Sequence, residues 1–421
     1  MIEIEAEERK KVRCFLIYDY GTCGNELQGL TDTLNMETIG SLTLPKKTES
    51  QSIARFGIGT GKAQEIATAA QETQAECIIF DFEITPTRQR NWEKLCNIPV
   101  FDRQEVILRI FASRAKTKEA NLQVELASLT YSLPRLAHSY GDMARQRGGS
   151  YGSKGAGETK LELDRRTIQS RIVQVKKELS KVVRERETQR KKRGKIPLPS
   201  CAIVGYTNAG KSSLLNALTG ANVLAENKLF ATLDPTTRRL GITGGTQLLL
   251  TDTVGFISNL PHNLIDAFKS TLEEAVQGDL LLIVVDASDP AAYEQYKTVC
   301  RVLEEIGASE SQRIIVLNKI DLLNPVDIRK TSLKQQFPRA IYVSAKNNVG
   351  LDQLSEAICN SLSGREQLYR IPYHKQELLE LVRKNGTVTN ELWLEDYIEF
   401  TGRTATTQKL AKQLAPYQVL D

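Results

Sequence analysis

The sequence has no uninterrupted apolar run approaching the ~20 residues that a membrane-crossing helix needs, so no stable membrane insertion is expected. Its first residues, MIEIEAEERKK, are acidic and then basic with no apolar segment behind them, and do not read as a secretory signal. Histidine is scarce: three residues offer no convincing zinc site. The seven cysteines (Cys14, Cys23, Cys77, Cys96, Cys201, Cys300 and Cys359) are odd in number and widely spaced, without a C-x-x-C pair. A disulfide framework is excluded by that pattern, and reduced thiols in a cytoplasmic protein are expected. With 41% hydrophobic and 25% charged residues the composition is that of a soluble globular protein, and 421 residues suggest two to four domains.

Charge of one sign is concentrated in one place. The net charge is +5, yet from Met143 to Lys195 there are 17 Lys and Arg against 6 Asp and Glu, which leaves the rest of the chain at −6. An excess this one-sided makes a polyanion a candidate partner, where a merely solvated face would mix its signs.

Four segments follow from periodicity. In residues 1–115 the apolar runs VRCFLIYDY, METIGSLTLP, ECIIFDFEI and NIPVFD alternate with helical patterns such as KAQEIATAAQET, which reads as a small α/β domain. Within it Gly57, Gly59, Gly61 and Lys62 open a helix but match neither the P-loop nor the dinucleotide fingerprint. In residues 116–195, Leu122, Leu126, Leu129, Leu133, Leu136, Tyr140 and Met143 step by four and three, with Pro134 expected to kink the helix. Ile168, Ile172, Val175, Leu179 and Val182 repeat that spacing, so the two helices are expected to form an antiparallel hairpin with a glycine-rich, basic tip at about 144–160. Residues 197–364 hold five short strands apolar on both faces (SCAIVGY, QLLLTD, LLLIVVDAS, RIIVLNK and AIYVSAK), as in a mostly parallel sheet flanked by helices. Residues 365–421 read as a small α+β domain.

The chemistry lies in the third segment. Gly205, Tyr206, Thr207, Asn208, Ala209, Gly210, Lys211 and Ser212 fit G-x-x-x-x-G-K-[ST] directly between a strand and a helix. Backbone N–H groups there wrap a β-phosphate, Lys211 reaches the β- and γ-phosphates, and the Ser212 hydroxyl suits Mg²⁺. Asp252, Thr253, Val254 and Gly255 form D-x-x-G at a strand end, with the carboxylate for the metal through water and the Gly255 amide for the γ-phosphate. Asn318, Lys319, Ile320 and Asp321 end another strand, and a carboxylate at Asp321 accepts both the ring N–H and the exocyclic amine of guanine. GTP is thereby favoured over ATP. Ser344, Ala345 and Lys346 complete the set, the Ala345 amide being suited to the guanine carbonyl. In LFATLDPTTRR both Thr232 and Thr236 could supply the metal-binding hydroxyl, and spacing does not choose between them. Phe256 stands where many small GTPases carry a water-orienting glutamine, so slow intrinsic hydrolysis is expected.

GGSYGSKGAGETKLELDRR, LFATLDPTTRR, GYTNAGKSSLLNAL and TDTVGFISNLP together resemble the HflX-type GTPases, most specifically from about Arg145 to Asp321. The resemblance implies a GTPase that binds bacterial ribosomes or their large (50S) subunit and splits them in stress or rescue. It implies Thr232 as the metal ligand, with Phe230, Ala231, Leu233 and Asp234 around the nucleotide, and catalysis resting on Lys211, Thr232 and Gly255. It also implies K⁺ as an activating ion beside Asn208, and a monomer is expected. At the tip this chain carries Lys160 where the family carries glutamine. Arg145, Arg147, Tyr151, Lys154, Lys160, Arg165 and Arg166 are the candidate rRNA contacts, the cations on phosphates and Tyr151 on an unpaired base. The competing readings are an RNA-binding scaffold that uses GTP as a structural or switch ligand, and an RNA-remodelling or ribosome-assembly NTPase.

Overall fold

In the computed structural model the chain divides into two compact units, and the division falls within a long helix after Val182. The structure describes residues 11–21, 25–45, 55–139, 154–193, 198–221, 228–241, 247–258, 278–308, 311–323, 328–362, 367–404, 410 and 413–419; within them, side chains at 137–139, 154–161, 186–193, 328–330, 384–387 and 403–404 are not described.

The first unit is built on four parallel strands. The elements run β1 (Arg13–Tyr18), α1 (Asn25–Thr33), β2 (Glu37–Thr43), α2 (Thr60–Glu72), β3 (Cys77–Phe80), α3 (Pro86–Cys96), β4 (Val100–Asp102) and α4 (Arg103–Arg114). The sheet order is β2-β1-β3-β4. Parallel pairing demands crossover helices, and the inner strands are therefore covered on both faces. RCFLIY and CIIF are buried almost throughout, as an unbroken apolar run requires. Trp92 of α3 anchors this core: fully buried, it packs edge-on against Phe56 at 5.3 Å, and its indole N–H donates to the Phe56 carbonyl at 3.1 Å. Truncating such a ring typically costs roughly 3–5 kcal/mol. The Gly57 turn beside it borders a cavity of only 70 Å³, and Lys62 is tied to Glu65 of its own helix at 2.8 Å. Neither feature builds a nucleotide pocket from the described side chains.

Asp102 joins this sheet to the next helix, α5 (Lys118–Ser139). Wholly buried, its carboxylate caps α4 by accepting from the Glu105 amide at 3.0 Å, and also accepts from the Tyr131 hydroxyl and Arg135, each at 2.9 Å. A buried carboxylate survives only when its oxygens are satisfied in this way. Burial beside Asp102 and Glu105 pushes the Tyr131 phenol well above its ordinary range. The helix continues through Pro134 without a break.

The next helix, α6 (Lys154–Arg193), starts inside the glycine-rich stretch instead of after it. Gly155 and Gly157 thus occupy its first turn, where little intrahelical bonding is lost to a poor helix former. Ile168, Ile172, Leu179 and Val182 are half-buried and Val175 is buried, while Arg165, Arg166, Lys176, Lys177 and Lys181 are exposed. The four-three stripe is therefore the covered face and the cations the open one. Arg171 links α6 to α5 through a two-pronged pair with Glu125, at 2.6 and 2.9 Å. Arg145, Arg147 and Tyr151 lie outside the described residues, and the side chains of Lys154 and Lys160 do likewise.

The second unit holds β5 (Ser200–Gly205), α7 (Lys211–Thr219), β6 (Thr236–Gly241), β7 (Gln247–Asp252), β8 (Leu280–Asp286), α8 (Ala292–Glu305), β9 (Arg313–Asn318), α9 (Ile328–Gln336), β10 (Ile341–Tyr342) and α10 (Leu351–Leu362). The sheet order is β10-β9-β8-β5-β7-β6, all parallel except β6 against β7. Strand β6 was not legible as a strand: TTRRLG is polar because it lies at the sheet edge, with only Leu240 buried. LLLIVVD of β8, next to the centre, is buried over six of its seven residues. A smaller sheet follows from β11 (Gln367–Pro372), α11 (Gln376–Asn385), β12 (Gly386–Trp393) and β13 (Tyr397–Thr404), antiparallel in the order β11-β13-β12 around Tyr369, Ile398 and Phe400. Among the described residues no helix is long and apolar enough to cross a membrane.

Candidate functional site

The carboxyl ends of β5, β7 and β9 and the short β10 deliver four loops to one cavity of about 480 Å³, the place where parallel sheets present their ligand sites. The first loop turns from β5 into α7 over five residues, 206–210. Gly210 adopts a φ of 89° at the amino end of α7, and a side chain there would run into the Asn318 amide. Only glycine meets both demands. Lys211 opens α7 with its ammonium buried and donating to the Tyr206 carbonyl at 2.8 Å. Burial lowers that ammonium to about 8, against the pull of Asp252. A phosphate filling the cavity would remove much of that penalty by supplying anionic oxygens.

Three oxygens converge beneath Lys211. The hydroxyls of Ser212 and Thr232 stand 2.9 Å apart, and each donates to Oδ2 of Asp252, at 2.6 and 3.0 Å. Thr236 opens β6 as the backbone partner of Asp252 across the strand pair, and its hydroxyl makes no hydrogen bond to the Ser212 or Asp252 side chains among the described residues. The geometry therefore separates two threonines that spacing left equal. Asp252 is wholly buried, and its other oxygen, Oδ1, has no donor among the described residues. Burial pushes this carboxyl up, with Lys211 and the two hydroxyls pulling it back. Hard oxygen donors with one carboxylate oxygen to spare suit a hydrated magnesium ion. Phe230, just before Thr232, is buried at a φ of 55°, a left-handed conformation that bulky side chains seldom take.

The base end is held by Asn318. Its amide donates to the Ala209 carbonyl at 2.9 Å and accepts from the Ala345 amide at 3.1 Å, so one side chain ties the phosphate loop to the Ser344–Lys346 loop. Lys319 pairs with Asp286 at 2.7 Å, and the Ser344 hydroxyl donates to Asp321 at 2.6 Å. Asp321 is exposed at the mouth of the cavity, with its second oxygen available.

Gly255 lies against the phosphate loop: a Cβ there would stand 2.8 Å from the Lys211 Nζ and 2.9 Å from the Thr207 Cα. Phe256 follows, and its carbonyl accepts from the Thr207 amide at 2.7 Å while its own amide donates to Gly205 at 3.0 Å. Its ring is 2% exposed, so the position that carries glutamine elsewhere faces the core and not the cavity.

Of the expected nucleotide residues, Thr207, Asn208, Gly210, Lys211, Ser212, Phe230, Ala231, Thr232, Thr253, Gly255, Asn318, Lys319, Asp321, Ala345 and Lys346 line the cavity. Gly205, Tyr206, Ala209, Leu233, Asp234, Asp252, Val254, Ile320 and Ser344 do not; Asp252 reaches those that do through Ser212 and Thr232, and Tyr206 accepts from the Ser258 amide at 2.6 Å through its hydroxyl. Ser213, Lys228 and Leu322 also line it. None carries a motif of its own; each is found only by its place beside one.

The family models matched in chain order are a GTP-binding GTPase N-terminal region over residues 23–112, a GTP-binding GTPase middle region over 114–193 and a 50S ribosome-binding GTPase over 200–319. A GTPase HflX from Caldanaerobacter subterraneus is 46% identical over 369 residues, spanning 87% of this chain and 84% of that protein. The GTPase HflX of Escherichia coli is 41% identical over 373 residues, 88% and 86% of the two chains. A crystal structure of a GTP-binding protein from Sulfolobus solfataricus in complex with GDP is 26% identical with a TM-score of 0.44, spanning 83% of this chain and 98% of that one. The two HflX relatives, at more than 40% identity over more than four-fifths of both lengths, share one family with this chain. The chain belongs to the HflX GTPases, and hydrolysis of GTP is its reaction.

Proposed function

We propose that this GTPase binds the large ribosomal subunit and couples its nucleotide cycle to splitting or recycling ribosomes under stress, with the tip before α6 contacting rRNA. The observation that carries this reading is the pairing of a guanine-nucleotide cavity with a helix whose open face is cationic, Arg165 and Arg166 among its exposed residues. A match to a family described as 50S ribosome-binding supports it. Cations spread along one face gain affinity for RNA by releasing counterions, so binding should weaken steeply as salt rises.

In the nucleotide cycle Lys211 neutralises the β- and γ-phosphates, and the amide of Gly255 holds the γ-phosphate from the other side. Asp321 fixes the base through its free oxygen. Mg²⁺ would be held by the Ser212 and Thr232 hydroxyls, with Asp252 acting through water, and would supply charge neutralisation to the phosphates. Thr232 and Gly255 sit on different loops, so loss of the γ-phosphate releases both from a common anchor. Phe256 offers no hydrogen bond to water, which leaves hydrolysis slow until a partner is engaged. Asn208, exposed at the cavity with a φ of 60°, is the place for an activating K⁺, and exchange of K⁺ for Na⁺ in the hydrolysis assay reads that directly.

Removal of residues 148–157 tests the role assigned to the tip. GDP affinity should stay within about twofold, because the cavity is built from other segments, while light scattering should show that ribosome splitting is lost. Splitting that survives this deletion would contradict the tip's role.

A further inference from the structure

Thr207 carries a hydroxyl for which the protein provides no partner. The residue is 6% exposed and lines the cavity, yet its Oγ1 is shielded from water and meets no donor or acceptor among the described residues. By contrast Thr253 donates to the Ile203 carbonyl at 2.7 Å, Thr251 shares a hydrogen with Thr237 at 3.0 Å, and Ser212 donates to Asp252 at 2.6 Å. A buried, unpaired hydroxyl lowers stability unless something else completes it.

Its location says what that is. Thr207 and Gly255 face each other with no side chain between them, since a Cβ on Gly255 would come within 2.9 Å of both Cα and Cγ2 of Thr207. The Thr207 amide is also fixed to the Phe256 carbonyl at 2.7 Å, which holds the two loops against each other at this side of the cavity. The residue after Gly255 turns its ring into the core and offers this wall no polar group, so that beside Gly255 the nearest side chains are those of Lys211, its ammonium 2.8 Å from a Cβ at Gly255, and Thr207. A rotation about the Thr207 Cα–Cβ bond carries Oγ1 to the place now held by Cγ2, on the Gly255 side.

We propose that Thr207 is a catalytic residue of GTP hydrolysis, whose hydroxyl accepts a hydrogen bond from the attacking water and donates its own to a γ-phosphate oxygen. The water oxygen forms the new bond to phosphorus as the bond to the β–γ bridging oxygen breaks. GDP leaves with that electron pair, the water's proton passes to a phosphate oxygen, and Thr207 is unchanged. The inference rests on the nucleotide orientation given above but not on any ribosomal partner.

The test uses the full chain without ribosomes, in single-turnover hydrolysis with enzyme in excess. Thr207→Val keeps the shape and the Cγ contacts but removes the hydroxyl. It should slow hydrolysis by about tenfold or more, with affinities for GDP and a non-hydrolysable GTP analogue within about twofold of the parent, and Thr207→Ser should restore most of the rate. A valine variant as fast as the parent would overturn the inference. So would valine and serine variants that slow alike while nucleotide affinity falls, since packing alone would then explain the loss. Failure of the parent chain to bind GDP would instead overturn the nucleotide site on which the inference stands.

Discussion

Asp321→Asn is expected to weaken GTP binding by about a thousandfold and to confer binding of xanthosine triphosphate, in titrations with each nucleotide. A site built to pair with polar groups rejects a mismatched partner by factors of roughly 10⁴–10⁵, because the mismatch leaves buried groups unpaired. Asp321 is exposed in this site, which trims that figure. The Ser344 hydroxyl occupies one carboxylate oxygen at 2.6 Å, so the base is read by the other oxygen together with the carboxylate's charge. Asparagine turns an acceptor into a donor. It faces the guanine amine with an N–H, but it can donate to the carbonyl that xanthine carries at the same ring position. Affinity for GTP within threefold of the parent would show that the base does not lie against Asp321.

Gly255→Ala should separate hydrolysis from diphosphate binding. The added methyl group would meet the Lys211 ammonium at 2.8 Å and, less avoidably, the Thr207 Cα at 2.9 Å. A lysine tip can swing aside, but the Thr207 backbone is clamped to the Phe256 carbonyl at 2.7 Å, so the D-x-x-G loop has to move. Misplacement of about 1 Å at a reacting centre can cost roughly a hundredfold in rate, and single-turnover hydrolysis is expected to fall by about that factor. GDP lacks the γ-phosphate that this loop senses, and its affinity should change by less than about threefold. Equal losses for GDP and for a non-hydrolysable GTP analogue would mean that the methyl group damages the whole cavity.

How much of this was readable beforehand depends on how local each determinant is. The four nucleotide motifs are contiguous stretches, each needing only a strand end beneath it, and the runs SCAIVGY, QLLLTD and RIIVLNK supplied those strand ends. Core strands declare themselves because burial on both faces requires unbroken apolar sequence. Edge strand β6 did not, since its register against β7 is imposed by the sheet and its own residues are polar. The choice of Thr232 over Thr236 is a matter of which hydroxyl the chain returns to Ser212 and Asp252, a tertiary fact that no spacing encodes. Likewise Lys228 and Leu322 reach the cavity only because their neighbours do. In the helical segment the apolar stripe on α6 was legible at the level of single residues, from Ile168 to Val182. Its start was not, because glycines in a first turn cost little and give no stop signal.

From the buried Phe256 and the cationic face of α6 we propose that hydrolysis stays slow until the chain meets a polyanionic partner. Steady hydrolysis of GTP and of ATP, each with and without purified large ribosomal subunits, tests it most directly. Slow GTP turnover that rises by about two orders of magnitude or more with subunits, while ATP turnover stays near background, is the expected result. A GTP rate that large subunits leave unchanged would contradict it.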